Sequence, residues 1–403
     1  MTGSGRPQSG SPKRTAHPMN RNLWLLATAQ GLFLTNNVAF IAINGLVGLA
    51  LAPLGWMATL PVMGYVLGGA MSTSLVARTQ ARFGRKTSFQ LGAAVALLSS
   101  LACAWAAVGR HFELLCLATV VAGYFNANAQ LYRFAAAELA GKTGPEKAVS
   151  MVMAGGLLGA IAGPNLAAQT REWMAVPFAG AYVALAGVAL LSMLVLALID
   201  FPPPPAKKSA TGGRPLSEIV RQPVFIVAAL CSALGYGVMN LLMASTPIAM
   251  DQCGLPFSDT ALVLEWHVIG MFAPGFFTGQ LIKRFGVMRI MAVGVALNAL
   301  CIAVALTGVD LHRFLIALFL LGVGWNFLFT GATTLSLQAY APEEKDRAQG
   351  ALNFCVFAVL AVSSFASGLL VTTQGWAWLN VGSLVPVGLT AAALVWMGRQ
   401  QRA

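Results

Sequence analysis

Apolar runs of roughly 20 residues recur along the whole chain, separated by short polar gaps, and nothing else constrains the fold as tightly. A run of that length crosses a bilayer as a helix. Lipid offers no partner to backbone N–H and C=O groups, and a helix satisfies its own. The period-two alternation of an outer-membrane barrel is absent. Only 9% of the residues are charged and the mean hydropathy is +0.73, which excludes a soluble globular chain. The runs predict an all-α membrane protein with twelve transmembrane helices. They fall near 23–51, 54–77, 87–108, 113–138, 148–170, 176–199, 223–250, 259–282, 288–308, 314–339, 348–372 and 375–397.

The basic residues set the orientation. Arg78, Arg82, Arg85 and Lys86, then Lys142 and Lys147, Lys207, Lys208, Arg214 and Arg221, Lys283, Arg284 and Arg289, Lys345 and Arg347, and Arg399 and Arg402 fall in gaps on one side. The other side carries only Arg110, Arg171 and Arg313. By the positive-inside rule both termini are cytoplasmic and the span count is even. The net charge of +12 is therefore topogenic, and nucleic acid is excluded as a partner. The Ser/Gly/Pro-rich start has no apolar core of its own, so residues 1–22 read as a cytoplasmic tail and not a cleaved signal. A Pro run followed by a Gly/Ser-rich stretch marks 200–222 as a cytoplasmic linker. It divides an N-terminal six-helix half, 23–199, from a C-terminal half, 223–397, with a short tail at 398–403. Arg82-Phe83-Gly84 returns as Arg284-Phe285-Gly286, an internal repeat that supports the division.

Two pairs of residues stand out for their chemistry. Met239 and Met243 lie four apart on the seventh predicted helix, and His267 and Met271 lie four apart on the eighth. On a helix such pairs share a face. The short connection predicts antiparallel neighbours, with the pairs at matched levels roughly 10–12 Å and 16–18 Å below the periplasmic surface. Thioether and imidazole together suit copper, Cu(I) above all. The same residues also fit plain helix packing, because methionine fills gaps in apolar cores. Cys253, in the connection, is either a first capture ligand or an inert thiol. The other five cysteines, Cys103, Cys116, Cys231, Cys301 and Cys355, read as packing residues rather than a disulfide framework. Glu265 is either a proton carrier or the partner of a neighbouring polar helix. Arg133 either binds an anionic group or snorkels. Asn36, Asn37, Asn126, Asn128 and Gln130 either line a cavity or hold helices together. No nucleophile–base pair, carboxylate pair or phosphate loop occurs. An enzyme is not expected, no resident cofactor is expected, and without a Walker A loop ATP is not the direct energy source.

The loop Ala81-Arg82-Phe83-Gly84-Arg85-Lys86, with its second copy at Gly279 to Gly286, resembles the cytoplasmic loop motif of the major facilitator superfamily. The family pattern has Gly and Asp where this chain has Ala77 and Ala81, and the second copy has Lys283. The glycine-rich stretch Gly155 to Pro164 resembles an antiporter motif of the same superfamily. The two Met/His pairs resemble the signature of its CcoA-like copper importer branch, and Tyr132-Arg133-Phe134 is similar to that branch and to its riboflavin-transporting relatives. The resemblance implies a bacterial inner-membrane secondary transporter working by alternating access. In that branch the cargo is copper, Met239, Met243, His267 and Met271 are its ligands, cytoplasmic copper carriers receive it, and it supplies assembly of the cbb3-type cytochrome c oxidase. The implied alternatives are an importer of an organic solute such as riboflavin and a non-transporting copper-binding assembly factor.

Overall fold

A computed structural model describes residues 21–140, 145–201 and 213–400. The expected tails lie outside it save for residues 21–22 and 398–400, and so does the middle of the expected linker. The described residues form helices and no strand. In chain order these are α1 (Arg21–Leu51), α2 (Leu60–Gly109), α3 (Phe112–Ala129), α4 (Tyr132–Leu139), α5 (Pro145–Thr170), α6 (Ala179–Ala197) and α7 (Leu216–Val220). Then follow α8 (Pro223–Gln252), α9 (Phe257–Phe272), α10 (Gly275–Phe285), α11 (Val287–Ala305), α12 (Leu311–Ser336), α13 (Lys345–Thr373) and α14 (Gly375–Gln400).

The 50 residues of α2 would extend about 75 Å as one rod, more than twice a bilayer core, yet the helix is broken at Gly84 (φ 81°, ψ 171°). Both parts run beside α3 and α4. Gly64 meets Thr119 and Cys116 near the start of α3, whereas Ser88 bonds Asn128 and Arg85 bonds Glu138 at the other end. The chain therefore turns back at Gly84, and α2 is two spans, as the two separate runs in the sequence predict. α3 with α4 makes one span with a break at Gln130–Leu131. α9 and α10 make another, bent by 42°. Among the described residues ten helices are long and apolar enough to cross a membrane; the bent pair and the split of α2 bring the count to twelve. Gly286 repeats the backbone of Gly84 (φ 89°, ψ 149°), so the sequence repeat is also a repeat of the turn. Positive φ of this kind favours glycine, which has no Cβ to clash.

We call the end carrying Arg82 to Lys86, Arg214 and Lys283 to Arg289 the basic end, and the opposite one the far end. The packing differs sharply between them. Toward the far end one continuous apolar core runs from Val38, Phe40, Ile43 and Tyr182 to Leu242, Ile248, Leu264 and Trp376, joining helices of both halves of the sequence. Toward the basic end the core divides. One cluster holds Leu26, Phe33, Phe89 and Leu196 from α1–α6, and another holds Phe225, Met291, Leu335 and Met397 from α8–α14. Among the described residues of these later helices, only Phe272 packs against the first cluster. Polar contacts between the two sets follow the same rule: Thr59 Oγ1 donates to Ser364 O (2.7 Å) and accepts from Gly368 N (3.0 Å). The molecule is sealed at the far end and parted at the basic end.

Glycines allow the closest crossings. An added Cβ at Gly159 of α5 would lie 1.9 Å from Gly31 O of α1, and one at Gly322 of α12 would lie 2.4 Å from His267 O of α9. Small residues let backbones touch in this way.

Candidate functional site

The four proposed ligands are all buried: Met239 at 3%, Met243 and Met271 at 6%, His267 at 0% exposure. Counted from the far ends of α8 and α9, Met243 and His267 lie about 14 and 15 Å deep, and Met239 and Met271 about 20 and 21 Å, so the matched levels hold. The expected neighbourhood does not. α9 packs on α12 and α5 and touches α8 only sparsely, while α12 packs on both α8 and α9. The short connection brings the helix ends together, but Gly322, meeting the α9 backbone, lets α12 press against α9. His267 turns toward α12. Its Nδ1 lies 2.6 Å from Leu318 O, and since a carbonyl only accepts, Nδ1 carries the hydrogen. Nε2 is left with a bare lone pair, buried and without a partner. That is how metal-binding imidazoles are oriented from their rear nitrogen. Among the described residues no three His, Cys, Asp or Glu side chains gather, so a metal here would need methionine sulfur.

The sequence reading missed an aromatic wall. Trp325 of α12 stacks on Phe329 (centroids 5.1 Å apart, planes 11°), and Tyr236 of α8 tilts against both at 5.2 and 5.4 Å. Phe272 of α9 approaches Trp325 edge-on at 6.2 Å. Trp325 is 7% exposed, and its indole N–H is buried with no protein partner. A buried donor without an acceptor is costly. Tyr236 lies three and seven residues before Met239 and Met243, so the wall continues the methionine face of α8. The available signal was Trp325 and Phe329 four apart on one span, and Tyr236 three residues before Met239 on another. In an apolar span they look like core.

Arg133 opens onto the same region from the first set of helices. Arg133 is exposed, its guanidinium stacks on Phe134 (5.0 Å), and it is within electrostatic range of Tyr236. Glu138, the nearest carboxylate in sequence, is taken by Arg85 through two bonds of 2.6 and 2.5 Å. Tyr132, beside it, is core, with an edge contact to Phe89 at 4.8 Å. Tyr65 of α2 tilts against Phe40 at 5.2 Å and donates to Asn37 Oδ1 (2.7 Å).

The other candidates divide cleanly. Asn128 takes the Ser88 hydroxyl and Asn36 donates to Leu185 O, so both hold helices together. Gln130 donates to Asn126 on its own helix. Glu265 accepts from Asn165 of α5 (2.9 Å), the polar partner on a neighbouring helix. Cys253 is exposed, and what burial it has pushes its thiol up, away from the reactive thiolate. Cys103, Cys231 and Cys301 are buried, and Cys116 and Cys355 half-buried.

Twelve spans, a repeated turn and two helix sets that join at one end and part at the other define a membrane transporter. The chain belongs to the Major Facilitator Superfamily, whose family model matches residues 23–355 and 231–403. It is a transporter, not an enzyme. It is 39% identical over 363 residues to the riboflavin transporter RfnT of Brucella anthropi, covering 89% of this chain and 91% of that one. Two solved structures share the fold. A bacterial homologue of the human lysosomal transporter Spinster, inward-facing and occupied, has a TM-score of 0.73 at 15% identity, covering 94% of this chain and 96% of that one. The nucleoside transporter NupG has a TM-score of 0.71 at 11% identity, covering 93% and 99%.

Proposed function

We propose that this protein imports a flat heteroaromatic solute of the riboflavin class across a bacterial inner membrane by alternating access, with its basic end and both termini cytoplasmic. The observation that carries the reading is the wall of Trp325, Phe329 and Tyr236, whose buried indole N–H has no protein acceptor. Stacked rings give a planar solute area at little entropic cost, and the N–H adds one directed bond. The 39% identity to a riboflavin transporter over most of both chains supports it. In this orientation the parted basic end is the cytoplasmic exit, and the molecule is inward-facing.

The test is uptake of labelled riboflavin by a bacterial strain that cannot make it, with wild type and Trp325→Ala at matched membrane levels. Wild-type uptake that falls in the variant supports the reading. No uptake by either protein overturns it.

The orphaned Nε2 of His267 favours a second reading, copper as cargo. Here Met243 and His267 take Cu(I) first, Met239 and Met271 one turn deeper, and cytoplasmic copper carriers receive it. Thioethers bind without releasing protons and suit capture followed by release. This reading predicts radioactive copper uptake that disappears in Met239→Ala/His267→Ala. Equal copper in cells with either protein would make the four residues packing. Binding by purified protein without net flux would mark the assembly-factor alternative.

A further inference from the structure

At the far end, where α5–α6 meet α8–α9, four independent features converge on one spot. Phe178, which opens α6, has φ 66° and ψ −8°, a left-handed backbone that a bulky side chain adopts only under constraint. Its N–H is tied back to Arg171 O at 2.8 Å, which holds the ring in place. The ring meets Phe257 of α9 edge-on, with centroids 4.9 Å apart, so two buried phenylalanines from opposite halves of the chain close over each other. Arg171 lies over the outer side of Phe178 (5.2 Å), and its Nε is buried with no hydrogen-bond partner. Beneath them is a cavity of about 10 Å³, room for one water, lined by Leu46, Arg171 and Phe178 on one side and by Pro247, Asp251 and Phe257 on the other. Opposite charges, one from each half, face this cavity without forming a direct ion pair.

We infer that Phe178 and Phe257 are the far-end gate and that Arg171 and Asp251 latch it through the small cavity between them. The strained turn makes the closed position one a rocking of the halves can release: when α8–α9 draw away, the Phe178 ring loses its partner and the backbone its constraint. The charged pair gives the closed state attraction across the seam that the open state lacks. Nothing in the inference depends on which solute is carried.

The test uses the full chain with its native cysteines replaced and Leu46→Cys introduced, since half-buried Leu46 lines the cavity beneath the two rings. Its labelling rate by a membrane-impermeant maleimide, applied from the far side of proteoliposomes, reads gate opening. Phe178→Ala or Phe257→Ala is expected to raise that rate roughly two- to tenfold, the equivalent of one aromatic pair. Arg171→Asp or Asp251→Arg alone is expected to raise it, and the exchange of both to return it to within about twofold of the parent. The exchange guards against a folding artefact, because a protein damaged by two substitutions would not recover. Unchanged rates in the phenylalanine variants overturn the gate. An exchange no better than its single components overturns the latch.

Discussion

Replacing Trp325 by Phe separates the binding role of the wall from its packing role. The indole is 7% exposed, so the lost ring atoms cost about 1–2 kcal/mol of packing and burial. Against this, the variant no longer buries a donor that has no protein acceptor, which relieves about 1–3 kcal/mol. The two terms nearly cancel, and the empty protein should melt within a few degrees of wild type. Binding has no such compensation. The stacking partners Phe329 and Tyr236 still hold a ring at position 325, but the directed bond is gone, a loss of about 1 kcal/mol or roughly fivefold in Kd. Riboflavin fluorescence quenching on purified protein gives Kd, and a thermal ramp on the same sample gives stability. The expected pattern is weaker binding at unchanged stability. A variant that melts much earlier, or binds as well as wild type, would show that the indole N–H serves the fold and not the solute.

Three further outcomes follow from the packing. Glu344, 2% exposed, accepts from Arg214 N, Nε and an Nη as well as from Ala341 N, and the Arg214 side chain beside it holds its carboxyl down at about 2. A depressed carboxylate contributes stability that is complete above its ordinary range near pH 4.5 and is lost as pH falls toward 2. The melting temperature of wild type relative to Glu344→Gln should therefore shrink steadily between pH 5 and pH 3. Gly159→Ala puts a methyl 1.9 Å from a carbonyl oxygen of α1, so α1 and α5 must separate; folded yield in a detergent-stability screen should drop sharply, whereas Gly187→Ala, with open space around it, should be neutral. Asn240 donates to Ser363 and Ser364 at 2.9 and 2.8 Å, and Asn240→Leu should cost about 1–3 kcal/mol, seen as a lower melting temperature that Ser363→Ala/Ser364→Ala in the same chain partly offsets.

The spans were legible because hydropathy has only one solution in lipid. Most ends fall within about three residues of the expected ones, but the second span runs on from Leu60 to the turn at Gly84, past the expected end at 77. Legible too were the repeat at Gly84 and Gly286, and the pairing of Glu265 with a polar group on a neighbouring helix. What sequence could not convey was which face of each span meets which neighbour. In a soluble helix the polar face announces the outside. Here lipid-facing and core-facing positions are both apolar, as exposed Trp105 and buried Phe89 on the same α2 illustrate. Adjacency in sequence predicts α8 and α9 as neighbours, whereas α12 packs between them and presses close against α9. The aromatic wall was hidden for the same reason: Tyr236, Trp325 and Phe329 come from two distant spans, and only packing puts them together.

The faces of α9 also bear on the choice of cargo. His267 and Glu265 are about 200° apart on the helix, and the structure uses both directions: His267 toward α12, Glu265 toward Asn165 of α5. Phe272, close to Glu265 in angle, is the residue of α9 that reaches across to the core of α1–α6 and meets the edge of Trp325. The imidazole therefore points into the bundle of α8–α14, while the aromatic wall is met by the face turned toward the opposite half. Rocking the two halves would change the surroundings of Phe272 and Trp325 directly, and those of His267 only if α9 also shifts against α12. Gly270 and Gly322 bring those two backbones so close that such a shift must carry both helices together. In the proposed cycle rocking would thus act first on the aromatic wall, as import of an organic solute there requires. Copper release through His267 would require a second movement inside one half.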